Sequence, residues 1–147
     1  MVFTPDTTAP AARSFSLQPA DMNGDDLYVG LHANDFGADA VNMARATISY
    51  DPAVVSLVSF SSADSWMSAF GYTAKFSVGK SGANQIRVRV DMESSSAGAS
   101  GSGRILRLRF RKVAAGSTRL ELVEGHAYDA GYNDSLQGRN GGTLVVQ

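Results

Sequence analysis

The run QIRVRVDME, residues 85–93, decides the fold class: Ile86, Val88, Val90 and Met92 alternate with Arg87, Arg89, Asp91 and Glu93. A period of two puts the apolar set on one side of an extended strand and the charged set on the other, whereas a helix needs apolar residues every third or fourth position. The run RILRLRFRKV, residues 104–113, repeats the pattern, with Leu106, Leu108 and Phe110 alternating with Arg107, Arg109 and Arg111. Both are predicted to be half-buried antiparallel strands. Between them SSSAGASGSG, residues 94–103, predicts a flexible connecting loop with no side chain large enough to pack.

Outward from these two strands the same period recurs at 13–18, 26–33, 41–50, 54–60, 72–78, 118–123 and 143–147. Asn23-Gly24, residues 79–82, residues 114–117 and Asn140-Gly141-Gly142 supply turn residues that tolerate positive φ. Short strands with frequent turns predict an all-β fold, a nine-stranded β-sandwich. A short helix or turn is expected only within 61–71, where Trp66, Met67 and Phe70 cluster. Residues 1–12, with Pro5 and Pro10 and no apolar period, are expected to be a linker from a multi-modular parent, leaving 13–147 as the folded domain.

At 147 residues, 44% of them hydrophobic, the chain is one domain's worth with enough apolar material for a core. Charged residues make up 18% and the net charge is -1, which argues against the basic surface that non-specific nucleic-acid binding requires. No apolar stretch approaches the roughly 20 residues that cross a bilayer as a helix, so a soluble domain is expected. There is no Cys, hence no disulfide framework, thiolate metal site or thiol nucleophile; this suits an extracellular or cell-surface setting.

An enzyme of this size needs a nucleophile with its base, a carboxylate pair or a metal triad. The two imidazoles, His32 facing outward from the second strand and His126 in a loop after the eighth, belong to no HxH, HExxH or GxSxG pattern. No catalytic residue, metal ligand or cofactor is therefore predicted. Residues 21–26, DMNGDD, resemble the start of an oxygen-ligand calcium loop but lack the distal Glu, and an Asn-Gly hairpin explains them better. Residues 129–134, DAGYND, are likewise expected to be an ordinary turn.

Residues 40–60, AVNMARATISYDPAVVSLVSF, carry the clearest resemblance to a known family. A strand ending in Tyr50-Asp51-Pro52, followed by the apolar strand Val54-Val55-Ser56-Leu57-Val58, is similar to the signature of cohesin domains. Pro52 ends the strand, Asp51 can accept from turn amides and Tyr50 can bury its ring. The glycine-led strand from Gly103 to Phe110, the strand at 117–124 and the Asn-Gly terminal strand at 140–146 follow in the family's order, so the resemblance spans 13–147.

The resemblance implies a jelly-roll sandwich without catalytic activity that binds a dockerin module and anchors enzymes or other modules to an extracellular scaffold or cell surface. Any calcium would belong to the dockerin. The implied contact face comprises the third, fifth, sixth and eighth strands: Met43, Arg45 and Thr47; Lys75; Arg87, Arg89 and Asp91; Arg119, Glu121 and Val123. Positions where members of the family carry Asn and Asp fall here on Met43 and Arg45. With Arg45, Lys75, Arg87, Arg89 and Arg119 on one face, the partner's contact surface is expected to be acidic. The alternative expectation, a carbohydrate-binding module, needs an exposed planar row of aromatic rings, and the aromatics are scattered along the sequence.

Overall fold

The computed structural model describes residues 1–38, 40–94 and 98–147, and in it the alternating runs become the strands of two packed sheets. In chain order the elements are β1 (Val2–Pro5), β2 (Ser14–Asn23), β3 (Asp26–Asn34), β4 (Met43–Ser49), β5 (Val55–Ser61), a 3₁₀ turn (Trp66–Ser68), β6 (Ala74–Lys80), β7 (Gln85–Met92), β8 (Gly103–Lys112), β9 (Gly116–Tyr128), β10 (Gly138–Asn140) and β11 (Gly142–Val146). The first sheet runs β1-β11-β9-β4-β7-β6 and the second β10-β2-β3-β8-β5, giving the expected all-β jelly-roll sandwich. Pairing is antiparallel except between β10 and β2.

The period-two sets go where predicted. Ile86, Val88 and Val90 of β7 and Leu106, Leu108 and Phe110 of β8 are buried between the sheets, with Phe15, Leu17, Leu31, Ile48 and Leu120 from neighbouring strands. Tyr50 is buried, its ring edge-on to Phe110, and the Asp51 carboxylate accepts from the Ala53 amide at 2.9 Å. Ser65 caps the 3₁₀ turn by accepting from the Met67 amide, and the buried Trp66 ring packs against Phe36.

Three expectations need correction. Among the described residues two strands join the nine expected, because two short pairings carry no periodic signal of their own. One is β10, three residues held parallel to β2. The other is β1, inside the stretch expected to be linker, which pairs with β11 and buries Phe3. Gly142 permits this: a Cβ there would lie 2.3 Å from the Phe3 ring, so any larger residue would push β1 off the sheet.

The segment expected to be a flexible loop is partly anchored. Its residues 95–97 lie outside the described residues, but beyond them Ala99 is fully buried and pairs with Val41. The carbonyls of Ser100 and Gly101 accept from Trp66 Nε1 and the Phe36 amide, both at 2.8 Å. A small side chain packs well where backbone groups do the bonding.

Candidate partner-binding face

The four strands singled out from the sequence are consecutive neighbours in the first sheet, in the order β9-β4-β7-β6. Their inward alternates, including Ala44, Ala46, Ile48, Val88 and Val90, are buried, and the other alternates form one face turned away from the second sheet. Register aligns them in rows. Met43 lies opposite Asp91, which lies opposite Lys75; Arg45 opposite Arg89, then Ser77; Thr47 opposite Arg87, then Gly79. Residues expected from three separate runs are thus brought side by side, as cross-strand pairing of period-two strands requires.

The fourth strand differs from expectation beyond its first half. Arg119 and Glu121 are exposed as predicted, Glu121 opposite Ser49. The register then shifts: Ile48 pairs with Leu122 but Thr47 pairs with Glu124, leaving Val123 as an extra residue, a β-bulge. Val123 and Glu124 are exposed in succession, and from there the face is carried by Glu124, His126 and Tyr128. Placing His126 in a loop was therefore wrong, because β9 continues to Tyr128 and puts His126 opposite Arg45.

Gly125, just beyond the strand expected at 118–123, is a packing requirement. A Cβ there would stand 2.8 Å from Leu136 Cδ2 and 3.5 Å from the Phe15 ring. The sequence signal that could have extended the strand is the triplet His126-Ala127-Tyr128, in which buried Ala127 resumes the alternation.

Three of the five expected cations do not stand free. Arg45 Nη2 bonds Asp91 Oδ1 at 2.7 Å and Arg89 Nε reaches Asp91 Oδ2 at 3.4 Å, so one carboxylate bridges two arginines that face each other in register. Arg119 makes a forked pair with Asp6, 2.7 Å on each arm, and lies 3.7 Å from Glu121. Among the described residues, Arg87 and Lys75 make no ion pair. The cationic half of the face is accordingly β7 and β6.

On the β9 side, His126 Nδ1 lies 2.7 Å from Asp134 Oδ2 and Nε2 lies 3.1 Å from Glu124 Oε1, while the ring stacks on Tyr128 with centroids 5.4 Å apart. The Asp134 and Glu124 carboxylates hold the imidazole pKa above its usual value. Partial burial pushes Asp134 upward, but hydrogen bonds from His126 and from the Leu136 and Ala127 amides outweigh it, and its pKa is lowered. Between this cluster and the arginines of β7 runs a shallow groove of about 370 Å³, floored by β4 at Arg45 and Thr47.

The remaining candidate chemistry is dispersed. His32 is on β3 of the second sheet and His126 on β9 of the first; burial, with Arg104 nearby, lowers the pKa of His32. Residues 21–26 close the β2–β3 hairpin, and two of their three acids are engaged: Asp21 with Arg107 at 2.6 Å, Asp26 with Arg109 at 2.6 Å and Arg111 at 3.0 Å. Asp129 accepts from the Gly131 and Asn133 amides, the turn expected there. Of the exposed rings, Phe60 is on β5, Phe70 and Tyr72 share the segment between the 3₁₀ turn and β6, and Tyr132 lies in the turn after β9.

No protein-family model matches the sequence, and no curated protein matches it. Solved structures do. The sixth cohesin of scaffoldin B from Acetivibrio cellulolyticus, seen in complex with a Cel5 dockerin, superposes with a TM-score of 0.75 at 15% identity, covering 93% of this chain and 100% of that one. This chain has the cohesin fold. A non-cellulosomal cohesin from the hyperthermophilic archaeon Archaeoglobus fulgidus matches with a TM-score of 0.66 at 24% identity, over 90% of this chain and 89% of that one. The second type II cohesin of the adaptor ScaA scaffoldin of Acetivibrio cellulolyticus gives 0.73 at 10%, over 96% and 93%. At such identities what is shared is the fold, the path of the backbone.

Proposed function

We propose that this domain is a non-catalytic protein-interaction module that docks a calcium-loaded dockerin on the β9-β4-β7-β6 face. The observation that carries the reading is the continuity of that face. Four strands from separate parts of the chain bring the outward rows of β4, β7 and β6, the outward residues of β9 and a central groove together on one open sheet of a cohesin fold. Several solved structures with this fold are complexes with dockerins. The calcium belongs to the dockerin, and the docked assembly sits on an extracellular scaffold or cell surface.

The partner is acidic where it meets Lys75, Arg87 and Arg89. A carboxylate placed there satisfies cations that the domain leaves exposed, whereas a basic partner meets like charge. Calorimetric titration with calcium-loaded dockerins from the same genome, with soluble polysaccharides in parallel, tests the reading. Binding that disappears with chelator and weakens on Arg87→Glu supports it. Silence from every dockerin alongside binding of a glycan overturns it.

A further inference from the structure

The two sides of the groove carry opposite charge. On the β7 and β6 side stand Arg87, Arg89 and Lys75, and the one acid among them, Asp91, is already shared by Arg45 and Arg89. On the β9 side stand Glu124 and Asp134 about a single imidazole, so the cluster keeps a net negative charge whether or not His126 is protonated. Glu121, on the same strand, faces Arg119, which Asp6 already occupies. The Glu124 and Glu121 side chains are 59% and 54% exposed and that of Arg89 is 62% exposed, so both signs are presented outward.

β4 alone separates the two sides, which places them roughly 10 Å apart, two strand spacings. Thr47, at the floor between them, carries no charge and is 8% exposed. Among the described residues Glu124 makes no ion pair with an arginine or lysine; its partner is His126. A uniformly acidic contact surface would satisfy β7 but bring like charges together over Glu124, at an energetic cost that grows as water is excluded.

We infer that the face selects a protein partner of split charge, one that lays a carboxylate over Arg87 and Arg89 and a Lys or Arg over Glu124, and is thereby oriented across the strands. This deepens the docking reading above and rests on it for the identity of the partner. Glu124 becomes a specificity residue for the basic group, as Arg87 is for the acidic one. Each supplies attraction to the correct orientation and repulsion to the reversed one.

Two measurements test this, one of them independent of dockerins. In ¹⁵N-edited NMR titrations of the intact domain, N-acetyl-arginine amide should shift amides of residues 121–128, and N-acetyl-glutamate those of residues 85–91. Shifts from the anion on β9, or from both probes on one strand, overturn the split. With a dockerin that binds the wild type, Glu124→Lys and Arg87→Glu should each weaken binding at least tenfold, and Glu124→Gln by a smaller factor. Unchanged or tighter binding by Glu124→Lys overturns the split while leaving docking intact. If no dockerin binds, the docking reading fails and the NMR titration still decides the polarity.

Discussion

Arg139 Nη1 donates a hydrogen bond to the carbonyl of Val123, the bulged residue at which β9 changes register and turns Glu124, His126 and Tyr128 onto the open face. A bulge frees a carbonyl from the ladder, and an arginine from β10 captures it. Arg139→Met should lower the unfolding free energy by about 1 kcal/mol, the net worth of one such bond, and speed amide exchange at residues 123–126. Urea unfolding and hydrogen exchange read the two effects. Unaltered exchange there would show that the bulge does not depend on Arg139.

The residue two places on is constrained by volume. Gly125→Ala puts a methyl within 2.8 Å of Leu136 Cδ2, so Leu136 or β9 must move. The expected loss is about 1–3 kcal/mol, the usual range for overpacking, with chemical-shift changes reaching His126. Wild-type stability in this variant would mean that Leu136 swings aside freely.

The Asp26 carboxylate is buried on β3 and accepts from Arg111 and Arg109. The Arg111 hydrogen bond, with that from Arg109 and against the opposing effect of burial, holds its pKa below the usual carboxylate range. Its contribution to stability is therefore fully present above about pH 3.9, the unfolded value, and lost as pH falls through the lower folded value. Asp26→Asn should be less stable at pH 7 and should lose this part of the acid dependence. Unfolding curves taken between pH 2 and 7 give both.

His126 carries the opposite sign. Its pKa is raised by Asp134 and Glu124, so its stabilising effect is present below about pH 6.5 and fades as pH rises through the higher folded value. At the acid end the pair is lost when Asp134, whose pKa is lowered, takes up a proton. An NMR titration should find the His126 ring protonating above the ordinary histidine value, and Asp134→Asn should bring it down. An unshifted ring titration contradicts the arrangement.

Arg45 and Arg87 should part company under charge reversal. Arg45 is tied to Asp91 at 2.7 Å and to the Ala44 and Val90 carbonyls, whereas Arg87 has no ion-pair partner among the described residues. Arg45→Glu sets a carboxylate beside Asp91 and should lower the thermal midpoint as well as dockerin affinity. Arg87→Glu should cost affinity, about tenfold or more, with the midpoint unchanged. Thermal melts run beside the titrations separate the cases.

Trp66, the single tryptophan, donates from Nε1 to the Ser100 carbonyl and packs on Phe36. Trp66→Phe leaves that carbonyl without its partner and should cost about 1–3 kcal/mol. Denaturant titration followed by circular dichroism measures it, since the variant has no tryptophan fluorescence.

Much of the contact face was legible because parity is a local property. Met43, Arg45 and Thr47, and Arg87, Arg89 and Asp91, occupy the outward positions that alternation assigned them. Parity failed at Val123, where one extra residue reverses the count, and His126 and Tyr128 were missed with it. β1 was missed for a related reason: three residues before a proline show no period, and only the space left by Gly142 makes Phe3 a core residue.

By itself the sequence determined the all-β class, the positions of most strands and which side chains of β4, β7 and β8 point inward, since an extended backbone sends successive side chains to opposite faces whatever lies around it. Tertiary structure alone decided which strands became neighbours, where β9 bulges and which cations remain available. Those outcomes depend on groups far apart in the chain, Arg119 with Asp6, Arg45 with Asp91 and Arg139 with Val123, and no local pattern encodes a contact that exists only after the sheets have formed.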